Sequence, residues 1–331
     1  MKVAFSGAFA VGLAERVRVH LAVPCDIILV NDAGRAEDVG IVARLADVDV
    51  LVTLAFTREM GAAAGRLKLV QVPGAGLNQI DRGALPAGAW LANAHGHETG
   101  IAEFVIGVML AWNWGFGRLD AALRRGAWMG PWAVSAAPPP PWPELAGKTL
   151  GILGYGRIGQ CVARRALAFD MSVRAIRQSA ARPETRGLAF LGGPDALDDV
   201  VSRADYLVIT LPLTPKTLRL LGERELRLMK SSAVIVNVAR AEIVDEDALY
   251  QALAQGIIAG AALDVWYRYP AGDGPTFPAR RPFHELSNVL MTPHVAGWTE
   301  GTLEARAKLI ADNILRVAKG EPPLNVIPQQ R

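Results

Sequence analysis

Apolar residues in this chain cluster in short runs, separated by longer stretches in which they recur at helical spacing. In the first hundred residues the runs fall at 3–5, 27–30, 50–53, 67–72 and 90–92, with helical stretches such as 36–46 between them. Further on they fall at 150–153, 172–176, 206–210, 233–238, 258–263 and 289–292. Runs without polar alternation suit strands buried on both faces, and strand–helix alternation makes a parallel sheet. The pattern predicts an α/β protein with two doubly wound parallel sheets, of the Rossmann or flavodoxin-like kind.

One stretch departs from this rhythm. Residues 101–119 form an almost wholly apolar helix whose uninterrupted core, 104–112, is too short to span a bilayer. A helix apolar all round must be covered on every side, either by crossing between domains or by pairing with a second copy of itself. Residues 130–143, with prolines at 138–141, read as a stiff extended connector to the second half of the chain.

The run at 150–153 leads directly into Gly154-Tyr155-Gly156-Arg157-Ile158-Gly159 and a helix over 160–169, and another strand comes next at 172–176. In this order the glycines have distinct mechanical tasks. The first permits the tight turn, the second lets a pyrophosphate approach the backbone, and the third lets helix and sheet pack closely. Helix-start N–H groups would then face the phosphates. The first strand ends in Ser6-Gly7-Ala8-Phe9, which lacks that spacing, so the dinucleotide is expected only in the second half.

Length and composition narrow the picture. A chain of 331 residues suits two domains. Its net charge of +3 comes from scattered arginines, not from a basic stripe, so nucleic acid is not an expected partner. Cys25 and Cys161 lie in no paired or metal-binding motif, which suggests reduced thiols in a cytoplasmic protein without a metal site. The apolar opening is cut short by Glu15, Arg16 and Arg18 and reads as a first strand, not as a signal peptide.

Candidate chemistry falls at the carboxyl ends of the strands, where open α/β sheets bind ligands. Leu211 and Pro212 follow the run at 206–210, Val238 and Arg240 lie at the end of 233–238, Asp264 follows 258–263, and His294 follows 289–292. Arg240 could neutralise a substrate carboxylate and polarise the carbonyl beside it, while His294 moves the proton. Read alone, His294 could also be a structural loop histidine. The small residues from Pro73 to Leu77 could present consecutive N–H groups to a carboxylate, or form a plain surface turn. His95 and His97 are either loop histidines or substrate contacts.

Together these segments resemble the D-isomer-specific 2-hydroxyacid dehydrogenase family. The resemblance rests on GAGLNQID at 74–81, IAEFVIG at 101–107, LAGKTLGILGYGRIG at 145–159, NVARAEIVDEDAL at 237–249, GAALDV at 260–265 and TPHVAG at 292–297. It implies a discontinuous substrate-binding domain, 1–99 and 297–331, around a dinucleotide-binding domain, 100–296, with a cleft between them. It also implies a homodimer, with the helix at 101–119 as the matching element, acting on a small 2-keto or 2-hydroxy acid. Ala75, Gly76 and Leu77 then offer the carboxylate nest, Arg240 grips the substrate, and His294 is the acid/base. Asp264 and Thr99 match cofactor contacts.

Two departures from the family pattern bear on mechanism. Where the family carries a glutamate that pairs with the histidine, this chain has Tyr269, within Asp264-Val265-Trp266-Tyr267-Arg268-Tyr269-Pro270. Tyr269 therefore joins Arg240 and His294 among the candidate catalytic residues. A phenol, neutral until about pH 10, orients the ring but supplies no charge, so His294 should titrate near its ordinary value of about 6.5. If Tyr269 only packs, another carboxylate such as Glu98 or Glu300 would serve the histidine. The second departure is Glu98-Thr99, where the family has Asn-Thr or Asn-Ser.

The cofactor is indicated by the end of the strand at 172–176, where NAD-dependent relatives place an acidic residue on the ribose hydroxyls. Here Arg177 stands there, with Gln178, Ser179 and Arg182 beyond. A guanidinium suits a 2′-phosphate, so NADP(H) is favoured over NAD. The leading expectation is an NADP(H)-dependent reductase of the glyoxylate/hydroxypyruvate type. Alternatives on the same fold are a dehydrogenase of another small anion or a dinucleotide-sensing binding protein.

Overall fold

A computed structural model describes residues 1–31, 39–132, 138–178, 187–270, 272 and 274–328. The chain forms two compact units, Met1–His97 with Trp298–Arg331, and Glu98–Gly297.

In the first unit, strands β1 (Lys2–Ser6), β2 (Asp26–Val30), β3 (Val50–Val52), β4 (Leu69–Gln71) and β5 (Trp90–Ala92) form one parallel sheet in the order β2-β1-β3-β4-β5. Helices α1 (Ala8–His20), α2 (Val39–Val42) and α3 (Arg58–Ala63) connect them. The helix expected over 36–46 is shorter among the described residues, because it gives way to a 3₁₀ turn at Leu45–Asp47; residues 36–38 lie outside them.

The second unit opens with α4 (Glu98–Trp114) and α5 (Phe116–Leu123). The single helix expected over 101–119 is broken at Gly115, whose φ of 61° ends the first segment and bends the pair by 50°. No single helix among the described residues is long and apolar enough to cross a membrane. Nor is α4 covered all round within the chain. Ile101, Val105, Val108 and Met109 are buried, whereas Glu103 and Gly107 are exposed and Trp114 is 42% exposed.

Strands β6 (Thr149–Leu153), β7 (Ser172–Ile176), β8 (Phe190–Gly192), β9 (Tyr206–Ile209), β10 (Val234–Asn237), β11 (Gly260–Leu263) and β12 (Val289–Met291) form a parallel sheet in the order β12-β11-β10-β9-β6-β7-β8. The edge strand β8 has no counterpart among the apolar runs read from the sequence. It is brief, and all three of its residues remain half-exposed. Helices α6 (Arg157–Leu167), α7 (Leu197–Arg203), α8 (Glu223–Leu228) and α9 (Glu246–Ala254) flank the sheet. Helix α6 starts three residues before the expected 160, because Gly156 takes the N-cap.

Helix α4 seals one face of this sheet. A Cβ on Gly260, at the start of β11, would sit 1.8 Å from the Trp112 ring, so only glycine admits that indole. Asn113, buried on the same helix, accepts the hydroxyl of Tyr206 from β9, and burial pushes that phenol up to about 12.

The chain returns to the first unit through α10 (Glu300–Ala318), whose Thr299 N-cap accepts the Thr302 N–H. Leu303, Ala307, Ile310 and Ile314 pack on Leu13, Ala14 and Val17 of α1. The buried Asn313 amide donates to Gln71 Oε1 of β4 at 2.7 Å, and its oxygen accepts the Leu324 N–H at 2.6 Å. This polar link joins the C-terminal segment to the first sheet.

Candidate active site

The glycines after β6 differ in what surrounds them. Gly154 has φ 105°, and a Cβ there would lie 2.8 Å from Leu211 N. At Gly159 a Cβ would meet Gly154 O at 2.4 Å, whereas at Gly156 nothing lies within 4 Å. Turn and helix packing thus require two glycines, and the third leaves open space beside the backbone. The helix begins its bonding with Gln160 N–H to Gly156 O, leaving the N–H groups of Arg157, Ile158 and Gly159 at the positive end of α6. An open approach to helix-start N–H groups fits a dinucleotide pyrophosphate. Arg157 lies 4.0 Å from Glu98, the residue that departs from the family pattern.

The other candidates form a row along the carboxyl edge of the sheet. Arg177 follows β7, its backbone held by Gly192 O at 3.0 Å, and its side chain makes no ion pair among the described residues. Ser179 and Arg182 lie outside those residues. After β9, Thr210 Oγ1 donates to Gly154 O at 2.7 Å and fixes the phosphate turn against the Leu211-Pro212 segment. After β10, the buried Asn237 donates to Arg240 O at 3.0 Å and accepts Ala239 N–H at 3.0 Å, shaping the loop that carries Val238 and Arg240. From β7 to β12 the row crosses five strand spacings, about 24 Å.

His294 follows β12 with φ 59°, a left-handed conformation that a non-glycine residue adopts at a cost. Asp264, buried at the end of β11, holds it there. Its Oδ1 accepts Thr292 Oγ1 at 2.7 Å and Val295 N–H at 2.8 Å, and its Oδ2 accepts Ala296 N–H at 2.9 Å. The resemblance places Asp264 at the nicotinamide end, yet the structure directs both oxygens into the His294 loop. Trp266 adds a further tie, its indole N–H donating to Thr292 O at 2.8 Å. Neither Asn237 nor Trp266 stood out in the sequence. Asn237 lies inside the Arg240 motif, but its side-chain bonds exist only once the loop is folded.

Tyr269 Oη lies 2.7 Å from His294 Nδ1, and the Trp266 backbone N–H donates to the same oxygen at 3.4 Å. Burial pushes His294 below the usual imidazole value; Arg240 pushes the same way and the Asp264 charge opposes them. An expectation near 6.5 therefore needs correcting downward: tyrosine withholds charge as anticipated, but the desolvation was invisible in sequence. Burial raises the Tyr269 phenol, with Glu242 and Asp264 adding to the rise, against the Trp266 N–H and Arg240. Glu98 pairs with Arg157 and Glu300 with Arg16.

In the first unit, the loop after β4 carries Ala75, Gly76 and Leu77. Asn93, buried after β5, donates to Ala75 O at 3.0 Å, and Ala94 N–H reaches Gly74 O at 3.1 Å. The N–H groups of Ala75, Gly76 and Leu77 have no acceptor among the described residues. Open N–H groups in succession are what an anion-binding nest requires. The His95 and His97 rings stack at 6.1 Å, with His97 buried. Trp298 packs on Phe9 with ring centroids 5.3 Å apart. Thr99, in the first turn of α4, is exposed, as is Trp132.

Comparison with known proteins agrees with this geometry. The profile of the D-isomer specific 2-hydroxyacid dehydrogenase NAD-binding domain matches residues 106–296. A D-3-phosphoglycerate dehydrogenase of Methanocaldococcus jannaschii is 35% identical over 87% of this chain, and the match spans 54% of that longer protein. A glyoxylate reductase of Korarchaeum cryptofilum is 33% identical over 88% of this chain and 86% of its own length. Among solved structures, a 2-hydroxyacid dehydrogenase from Ketogulonicigenium vulgare superposes with a TM-score of 0.80 at 27% identity, covering 100% of this chain and 99% of the other.

Two doubly wound parallel α/β units, one opening on a dinucleotide fingerprint, define an oxidoreductase that binds a nicotinamide dinucleotide. The chain belongs to the D-isomer specific 2-hydroxyacid dehydrogenase family.

Proposed function

We propose that this protein is an NADP(H)-dependent reductase of small 2-ketoacids, of the glyoxylate/hydroxypyruvate type. The observation that carries the reading is the grouping of Arg240, Asp264 and His294 after three adjacent strands, with the Arg240 charge acting on the His294 ring. A fixed cation beside a held imidazole suits a carbonyl that must be polarised and then protonated. The similarity to a glyoxylate reductase supports a small 2-ketoacid as its partner.

In this reading the fingerprint residues Gly154, Tyr155, Gly156, Arg157, Ile158 and Gly159 hold the pyrophosphate. Leu211, Pro212, Val238 and Thr99 line the cofactor's path, and Asp264 serves its nicotinamide end through the His294 loop. Arg177, with no ion pair of its own among the described residues, takes the 2′-phosphate, which favours NADP(H) over NAD. When bound, the reduced nicotinamide supplies a hydride to the carbonyl carbon. The chain does the rest. The Ala75, Gly76 and Leu77 N–H groups bind the substrate carboxylate. Arg240 binds the carboxylate and carbonyl oxygens, and His294 Nε2, the ring nitrogen not engaged by Tyr269, protonates the developing alkoxide.

Residues 1–99 and 297–331 then form the substrate-binding domain and 100–296 the cofactor domain. Exposed aromatic residues after α4 support a homodimer, and two unpaired cysteines support a cytoplasmic setting. Oxidation of NADPH and NADH against glyoxylate, hydroxypyruvate, pyruvate and bulkier 2-ketoacids tests the reading. Turnover of at least one with NADPH is expected, and none with either cofactor overturns it.

A further inference from the structure

The family pattern gives the histidine a carboxylate partner, which stabilises imidazolium as the acid. Tyr269 at 2.7 Å from Nδ1 cannot do that, and the geometry around it suggests a different proton source. The phenolic oxygen accepts the Trp266 N–H, and when its own proton is given to Nδ1 the ring proton stands on Nε2.

We infer that Tyr269, acting through His294, supplies the proton for ketoacid reduction: Nε2 gives its proton to the carbonyl oxygen while Nδ1 takes the phenolic proton of Tyr269. The inference rests on the reductase reading. One O–H bond forms on the substrate as the Nε2–H bond breaks, and one N–H bond forms at Nδ1 as the phenolic O–H bond breaks. The imidazole begins and ends neutral, with its tautomer exchanged, and the negative charge passes from the alkoxide to the phenolate. An alkoxide is a far stronger base than a phenolate, so the transfer runs downhill.

The surroundings decide between this route and an imidazolium acid. Burial lowers the His294 pKa and so disfavours the imidazolium form. The phenol, raised by burial, keeps its proton throughout the neutral range. Among the described residues the charged groups acting on the pair are Arg240, Asp264 and Glu242; Arg240 and the Trp266 N–H stabilise a phenolate, whereas Asp264 and Glu242 oppose it. With His294 exposed, Nε2 regains a proton from water after each turnover while Nδ1 returns its proton to the phenolate, which restores the starting tautomer.

The test combines kcat/KM for ketoacid reduction between pH 5 and 9.5 with ¹⁵N NMR of the labelled His294 ring, in wild type and Tyr269→Phe. Wild type should hold its rate to above pH 9 and show the Nε2–H tautomer at pH 8. Tyr269→Phe should fall about tenfold per unit above the histidine pKa, leaving it at least 30-fold below wild type at pH 8.5, and should lose the single tautomer. If wild type itself falls tenfold per unit from the histidine titration, imidazolium is the acid, Tyr269 only orients the ring, and the relay is overturned while the reductase reading stands. A proton on Nδ1 in wild type at pH 8 also overturns it. Absence of turnover on any 2-ketoacid overturns both.

Discussion

Asp264 holds His294 in its left-handed conformation by accepting the N–H groups of the next two residues, Val295 and Ala296. A carboxylate accepts at both oxygens, whereas an amide can accept at only one. Asp264→Asn should therefore lose one buried charge-assisted bond and destabilise the protein by about 1–3 kcal/mol in thermal or denaturant unfolding.

The same carboxylate raises the His294 pKa, so Asp264→Asn should lower it further in an NMR titration. Tyr269→Glu should act in the opposite direction, because a carboxylate in place of the phenol beside Nδ1 favours imidazolium, and the rise should be about one unit. Identical histidine titrations in both variants and wild type would remove the electrostatic account of this loop.

Arg177→Asp should weaken NADPH binding and improve NADH use, shifting the ratio of kcat/KM values by at least tenfold, or about 1.4 kcal/mol. The substitution replaces a guanidinium suited to a phosphate with an acceptor suited to ribose hydroxyls. A wild-type preference for NADH would refute the assignment.

Arg240 and His294 should separate kinetically. Arg240→Ala removes carboxylate binding and carbonyl polarisation together and should damage both KM and kcat. His294→Ala should lower kcat by about 10²–10⁴ and leave cofactor affinity, measured by fluorescence titration, nearly unchanged. Wild-type turnover in either variant would end the proposed mechanism.

The helix pair α4 and α5 should carry a dimer contact. Trp114 stacks at 6.1 Å on Phe116, itself 54% exposed, and nearby in sequence Leu123 and Trp128 are also exposed. Apolar surface of this kind marks an interaction site. Light scattering at micromolar concentration should give twice the chain mass, and Phe116→Glu should shift it toward one. A fully active wild-type monomer would exclude the dimer.

The sequence by itself determined the parallel α/β alternation, the glycine turn after β6 and the place of Arg240 and His294 at strand ends, because each is written in local order. Apolar runs mark strands buried on both faces, Gly154, Gly156 and Gly159 stand at the spacing a strand-to-helix turn requires, and Arg240 and His294 come directly after their strands. Edge strand β8 and the break of the long helix at Gly115 were not readable, since short half-exposed segments carry little apolar signal and one glycine permits a bend without demanding it. Only the tertiary structure placed the carboxylate of Asp264 on the loop of His294, set Trp266 N–H against the phenol of Tyr269 and lowered the histidine pKa. The Asp264 bonds join segments far apart in sequence, the Trp266–Tyr269 contact depends on how a short turn folds, and the pKa shift comes from desolvation; none of them exists until packing brings the groups together and excludes water.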